Sequence, residues 1–282
     1  MNFHNFLKRL APVTEKLAGK LPDIPWPTVL EQLRPSTLGY HYWPMNIETV
    51  AEEEGMKLLR FNGTVEVWLP TRVRADEILW REFYSVFDDR PNNYHYYLIP
   101  QTPIHPGDIV IDCGACEGFF ILQALERGAG KVVAVEANAT LLPCLHRTLS
   151  NAMDKVIIEH AAVGALNGNV RFDFDPENPA GGKICSEGVE VPMKTIDQIV
   201  EELCLPKVDF IKMDIEGAEI QATEGALGVL ERYHPRVAIA TYHRVFDFVA
   251  LRAILRSVGY KNILLKGITS HPDRRPMMIH AW

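Results

Sequence analysis

From Pro106 onward the chain alternates short apolar runs with helix-patterned segments, and that alternation limits the folds open to it. The runs IVIDCG (109–114), KVVAVEAN (131–138), KVIIEHAAVG (155–164), VDFIKMDIEG (208–217) and RVAIATYH (236–243) read as buried strands. FFILQALERG (119–128), Leu141 to Leu149, Ala218 to Arg232 and FDFVALRAILRSVGY (246–260) read as the helices between them. Buried strands alternating with helices predict an α/β fold with a parallel sheet. The end differs. KNILLKGI and RPMMIHAW flank a short turn-rich loop with no helix between them, so they are expected to pair antiparallel.

The first hundred residues follow another pattern. Prolines at 12, 22, 25, 27, 35 and 44 break residues 1 to about 50 into short helical pieces. The Pro-x-x-Pro-x-Pro run around Trp26 suggests an extended, packed linker, because tryptophan is costly to leave in water. In MKLLRFNGTVEVWLP, Asn62-Gly63 between two hydrophobic runs predicts a hairpin, since a type I′ turn needs positive φ twice. RADEILWREFYSVFDD carries Ile78, Leu79, Phe83, Val86 and Phe87 at helical spacing. Residues 1–100 are therefore an expected α+β extension, a lid or a dimerisation surface, before a domain spanning 101–282. No internal repeat interrupts the 282 residues.

Composition removes several classes. With 29 basic and 36 acidic residues, the net charge of −7 disfavours a nucleic-acid partner. Five cysteines, an odd number, do not make a disulfide framework. Cys113 and Cys116 form one CxxC without a second pair at zinc-ribbon spacing. The N-terminus lacks a signal-peptide pattern, and no run approaches the ~20 apolar residues of a membrane span. A soluble cytoplasmic protein with no membrane partner is expected.

Ligands of an open parallel sheet bind at the carboxyl ends of its strands, near the reversal of strand order. Here the first strand ends at Asp112, followed by Gly114 and Gly118, whose glycines allow close approach to a ligand. The second ends at Glu136, an acid placed to accept hydrogen bonds from both ribose hydroxyls. The third ends at His160-Ala161-Ala162, small residues that leave room for a flat base; the fourth at Asp214; the fifth at Tyr242-His243. Glycine loop plus ribose acid indicates a nucleoside cofactor. The loop DCGACEG holds two of the three glycines of a dinucleotide fingerprint and encloses Glu117. Negative charge there suits the cationic amino-acid end of S-adenosyl-L-methionine better than a pyrophosphate. A nicotinamide-dependent oxidoreductase is the alternative.

KMDIEGAEIQATEGAL concentrates carboxylates. Asp214 and Glu216, two apart, point the same way on an extended strand. Gly217 turns the chain, and Glu219 reads as a helix-start acid. Glu216 stays open between chemistry and scaffold. His243 has the intrinsic pKa of a base for a hydroxyl, or is a strand-end histidine bonding the backbone. Asp214, Glu216 and His243 could offer ligands to magnesium or calcium, but no metal is assigned. Tyr94, Tyr96, Tyr97 and Tyr242 form an aromatic wall around the substrate or part of the core.

IHPGDIVIDCGACEGFF, VVAVEAN, EHAAVGALNGNVRF, VPMKTIDQIV and above all VDFIKMDIEGAEIQATEGAL resemble the FkbM-type methyltransferases, over about residues 95–245. The resemblance implies a class I methyltransferase fold, a Rossmann-like seven-stranded sheet with an antiparallel last strand, using S-adenosyl-L-methionine. Family members typically methylate oxygen on sugars and natural products, and some methylate nitrogen or carboxyl groups. Carried over, Asp112, Gly114 and Gly118, with loop residues Ala115 and Cys116, line the methionine end. Glu136 binds the ribose, Ala137, Asn138, Ala161 and Ala162 border the adenine, and Asp214 faces the methyl-transfer centre. Three positions depart from the family: Cys116 stands for a common asparagine, Ala137 for a proline, and Thr241 for the glutamate of Glu-x-His, whose histidine is His243.

The expected function is methyl transfer to a nucleophilic oxygen, with nitrogen second, of a sugar, natural product or peptide. His243 is the expected base, with Asp214 and Glu216 beside it. A homodimer is one possible assembly, and a non-catalytic methyltransferase-like partner protein is a further alternative to the enzyme. The acceptor pocket is expected from residues 1–100, 171–190 and the 267–276 turn.

Overall fold

The computed structural model of the chain describes residues 3–33, 45–90, 93–178, 181–269 and 271–282. It begins with α1 (Phe3–Leu17) and α2 (Trp26–Glu31). The expected extended linker around Trp26 is instead the start of α2: Pro25 is the N-cap and proline opens the helix, where a missing N–H costs nothing. Trp26 is 41% exposed, so it is not the packing anchor that was expected. Prolines 35 and 44 lie outside the described residues.

A three-stranded antiparallel sheet follows: β1 (Ile47–Glu53), β2 (Met56–Phe61) and β3 (Val65–Pro70). Asn62 and Gly63 both take positive φ between β2 and β3, as the sequence predicts. The same device at Glu54-Gly55 joins β1 to β2, a strand the proline pattern did not suggest. The amphipathic helix is α3 (Glu77–Phe87). Asp76 caps it by accepting from the amides of Ile78 and Leu79, worth about 1 kcal/mol. Leu79, Trp80, Phe83 and Val86 are buried, while Ile78 faces outward.

The remaining chain builds the main sheet from β4 (Ile109–Cys113), β5 (Lys131–Glu136), β6 (Val156–His160), β11 (Phe210–Met213), β12 (Arg236–Ala240), β13 (Ile263–Ile268) and β14 (Pro276–Ala281). Their order is β13-β14-β12-β11-β4-β5-β6. β6, β5, β4, β11 and β12 are parallel neighbours, and β14 runs antiparallel to both β12 and β13. This is a class I methyltransferase sheet with its last strand reversed, as expected. Strand parity makes two cores. Ile109 and Ile111 face one side with Val133, Ile211 and Ile239; Val110 faces the other with Val132, Phe210 and Ala238.

Helices α4 (Phe119–Glu126), α5 (Leu142–Thr148), α6 (Ile196–Glu202), α7 (Glu219–Glu224), α8 (Leu227–Tyr233) and α9 (Asp247–Ser257) complete the fold. The single helix expected over 218–232 is two, broken at Gly225. There a Cβ would stand 2.1 Å from the Gly164 carbonyl oxygen, so the close approach demands glycine. The strand expected over 155–164 also divides. After β6 the chain leaves the main sheet, and β7 (Ala162–Val163) joins β8 (Gly168–Asp173), β9 (Lys183–Ile184) and β10 (Val189–Lys194) in a small second sheet. Among the described residues no helix is long and apolar enough to cross a membrane.

Candidate active-site cleft

Strand order reverses between β4 and β11, and a cleft opens there. Gly114, Ala115, Cys116, Glu136, Ala137, Ala161, Ala162, Asp214 and Glu216 line it, while Asp112, Gly118 and Asn138 do not. The first hundred residues contribute Glu82, Val86 and Tyr97, and the second sheet contributes Phe172 and Phe174. The 267–276 turn supplies no lining among the described residues; Arg275 instead donates to the Tyr242 carbonyl, bracing the cleft from behind.

The loop after β4 is strongly shaped. Gly114, Cys116 and Gly118 all have positive φ. A Cβ on Gly114 would lie 2.2 Å from the Asp214 carbonyl oxygen, so this glycine is required by the neighbouring strand rather than by a ligand alone. Gly118 is the N-cap of α4. Burial pushes the Cys116 thiol well above its ordinary pKa, so it is not held as a thiolate.

Glu136 ends β5, is buried, and accepts from the Cys116 amide at 2.8 Å and the Asn138 amide at 2.7 Å. Each oxygen uses one lone pair on the backbone and keeps another for a ligand. Asn138 itself does not line the cleft: its side-chain oxygen accepts from the amide and hydroxyl of Thr140, so the expected adenine contact falls away.

Asp112 also departs from expectation. Strand register sets it directly beside Lys212 of β11, whose Nζ is 3.0 Å from its carboxylate. Asp112 is fully buried and absent from the lining. Burial alone would lower the Lys212 pKa; the carboxylates of Asp112 and Asp214 outweigh it and raise it. The same ammonium donates to the Gly114 carbonyl at 2.7 Å. Asp112 thus anchors the lysine that supports the loop.

Asp214 is the hub. Tyr97 donates to its Oδ2 at 2.6 Å, His95 Nε2 lies 3.1 Å from the same oxygen, and the Tyr242 hydroxyl is 3.3 Å from Oδ1. Burial would raise its pKa, but His95, His243 and Lys212 hold it well below the usual carboxylate range. Burial and the Asp214 charge keep Tyr97 protonated as a donor. Of the four tyrosines, Tyr97 and Tyr242 line the cleft; Tyr94 and Tyr96 pack elsewhere. His95 carries no motif and was not singled out from sequence. The signal available was its place in YHYY, polar groups clustered just before the sheet begins.

Glu216 is not on an extended strand: β11 ends at Met213, and Glu216 adopts φ 57° in the turn. It nonetheless converges with Asp214. His243 Nε2 lies 3.4 Å from Asp214 Oδ1 and 3.6 Å from Glu216 Oε1. Nδ1 lies 2.9 Å from Glu219 Oε1. Glu219 does begin α7, but it is fully buried and also accepts from the amides of Ile215 and Gly217, so its role exceeds that of a helix-start acid. Burial opposes a charge on His243, yet Glu216, Glu219 and Asp214 raise its pKa to about 11. These carboxylates favour its protonated form, and His243 itself stands behind Asp214 and Glu216, outside the cleft lining. Thr241, at the position of the family's glutamate, is buried and bonds the Pro276 carbonyl. Its side chain is committed to β14.

The methyltransferase FkbM domain family matches residues 112–261. The FkbM methyltransferase of Methylobacillus flagellatus KT is similar in structure, with TM-score 0.50 and 22% identity, over 75% of this chain and 56% of that one. The chain therefore spans just over half the length of that protein. The precorrin-6y C5,15-methyltransferase of Geobacter metallireducens matches with TM-score 0.41 and 14% identity, over 63% of this chain and 81% of that one. Fibrillarin of Aeropyrum pernix, in complex with natively bound S-adenosyl-L-methionine, matches with TM-score 0.41 and 12% identity, over 85% and 100%. The last two likenesses are too low to carry an argument. No curated protein matches the chain.

Proposed function

The chain belongs to the methyltransferase FkbM domain family, and we propose that it transfers the methyl group of S-adenosyl-L-methionine to an oxygen, or secondarily a nitrogen, of a small-molecule or peptide acceptor. The observation that carries this reading is Glu136, fixed by two amides at the strand end and facing the cleft with acceptor capacity to spare. Its carboxylate suits a ribose diol. Ala137, Ala161 and Ala162 leave a smooth wall for the base, and the loop 114–118 takes the amino-acid end. Bound there, the cofactor supplies an electrophilic methyl on a sulfonium.

The chain's own residues supply orientation. Asp214, clamped by Tyr97, His95 and Tyr242, points a rigid carboxylate at the cleft and aligns the acceptor's hydroxyl. Holding reacting groups in line accounts for much of such catalysis, and the proton leaves late. Residues 1–100 act as a cover, supported by Glu82, Val86 and Tyr97 in the lining. Asp214, held ionised by its cationic neighbours, puts negative charge in the lining beside Glu216, and Lys212 is already paired with Asp112. That charge favours neutral or cationic acceptors over phosphate-bearing ones such as nucleic acid, and it disfavours the pyrophosphate of a nicotinamide dinucleotide.

Calorimetric titration with S-adenosylhomocysteine tests the reading. Saturable binding that Glu136→Ala abolishes is expected. No binding, or binding unchanged in Glu136→Ala, overturns it. Cofactor binding with no turnover across sugar, polyol, phenol and peptide acceptors favours a non-catalytic partner protein.

A further inference from the structure

We infer that Asp214, Glu216 and His243 form a binding site for one divalent first-row transition-metal ion at the acceptor end of the cleft. Donor atoms of these residues lie within 4.8 Å of one another. Two donors about 2.1 Å from an ion stand roughly 3.0–3.5 Å apart. The Nε2 distances of 3.4 Å to Asp214 and 3.6 Å to Glu216 are close to that, and Glu216, whose side chain is 42% exposed, has freedom to adjust.

The second observation is the histidine itself. Its side chain is only 9% exposed, and Nε2 is buried without a hydrogen-bond partner. Nε2 points into the gap between two carboxylates. Nδ1 faces Glu219, a third carboxylate, buried and held by two backbone amides. Metal-ligating histidines characteristically present their other ring nitrogen to such a carboxylate, which fixes the tautomer and leaves the ligating nitrogen unprotonated. Charge points the same way. Three carboxylates converge on this one ring, and a divalent ion would offset two of their charges.

One imidazole and two carboxylates suit manganese, iron(II) or zinc better than magnesium, which prefers an all-oxygen, partly hydrated shell. Asp214 and Glu216 line the cleft, so free coordination positions face the acceptor. If the methyl-transfer reading holds, and this role rests on it, an ion held by Asp214, Glu216 and His243 would supply a Lewis acid to the acceptor oxygen and lower its pKa, its proton passing to solvent water as the methyl group arrives.

The test uses the full chain after chelator treatment, titrated with Mn²⁺ and followed by the loss of the free-ion electron paramagnetic resonance signal. One Mn²⁺ per chain is expected, with Mg²⁺ a poor competitor. His243→Ala should remove binding, and Glu219→Gln should weaken it roughly 10–100-fold, as for other partners of metal-bound histidines. Circular dichroism reports whether each variant folds. Should the buried variants fail, Glu216→Gln on the exposed side must still weaken Mn²⁺ at least about tenfold. No saturable Mn²⁺ binding, or binding unchanged in a folded His243 or Glu216 variant, overturns the site. S-adenosylhomocysteine titration on the same samples separates the two readings, since Mn²⁺ binding without cofactor binding leaves the metal site standing and removes the methyltransferase assignment.

Discussion

Lys212 Nζ and Asp112 Oδ1 lie 3.0 Å apart across adjacent strands, both groups almost wholly buried. Removing one partner of a buried pair leaves the other charge uncompensated, at about 3–5 kcal/mol. Lys212→Met is expected to lower unfolding stability by that amount in urea titrations. The double variant Asp112→Leu/Lys212→Met should recover much of the loss, because no charge remains buried. A single variant as stable as the parent would show that the pair is dispensable.

Cys116 holds φ 44° without being glycine, and its amide reaches Glu136. Left-handed backbone costs most side chains roughly 1–2 kcal/mol, while asparagine tolerates it. Cys116→Asn, which restores the residue common in the family, should raise the melting temperature by a few degrees, since about 1 kcal/mol shifts Tm by ~2–4 °C in a protein of this size. Glu136 keeps its amide donor in this variant, so cofactor affinity should not fall.

Tyr97 donates to Asp214 at 2.6 Å from outside the main sheet. A hydrogen bond to a charged group is worth about 1.5–3 kcal/mol. Tyr97→Phe should therefore reduce kcat roughly 10–100-fold with whichever acceptor the panel yields. S-adenosylhomocysteine affinity should change little, because Glu136 and the loop are untouched. An equal loss in both quantities would place Tyr97 on the cofactor instead.

Glu117 and Glu82 face the same cleft, and burial raises each carboxyl to about 7. Unfolded, each ionises near the ordinary value of 4.5. Between those values the unfolded chain releases a proton that the native state keeps, so native stability falls as pH rises from about 4.5 to 7 and levels off above. Glu117→Gln removes its share of that slope. Denaturation at pH 5 and pH 8 should show the variant gaining on the parent at the higher pH by about 2 kcal/mol. A variant with an undiminished slope would assign the effect to other groups.

How much was legible follows from where each interaction originates. The alternation beginning at IVIDCG announced the parallel sheet, and the Asn62-Gly63 turn announced the hairpin, because apolar period and turn chemistry are local properties. Glu136 was legible for the same reason: a strand's carboxyl end is a fixed address in this fold. Helix breaks at Gly225 were not, since the cause is a carbonyl 61 residues away at Gly164. Nor were the Asp112–Lys212 and His243–Glu219 pairings, which only folding supplies.

The sequence by itself determined the fold class, the reversed last strand and the strand ends where a ligand belongs. All of these follow from short-range pattern and chain connectivity. Tertiary structure alone decided which carboxylates are free. Strand register spends Asp112 on Lys212, the segment around Tyr97 and His95 closes onto Asp214, and the turn at Glu216 brings three acids around one imidazole. Charge–charge contact is set by distances of a few ångströms between groups far apart in the chain, and burial then decides how strongly each contact acts.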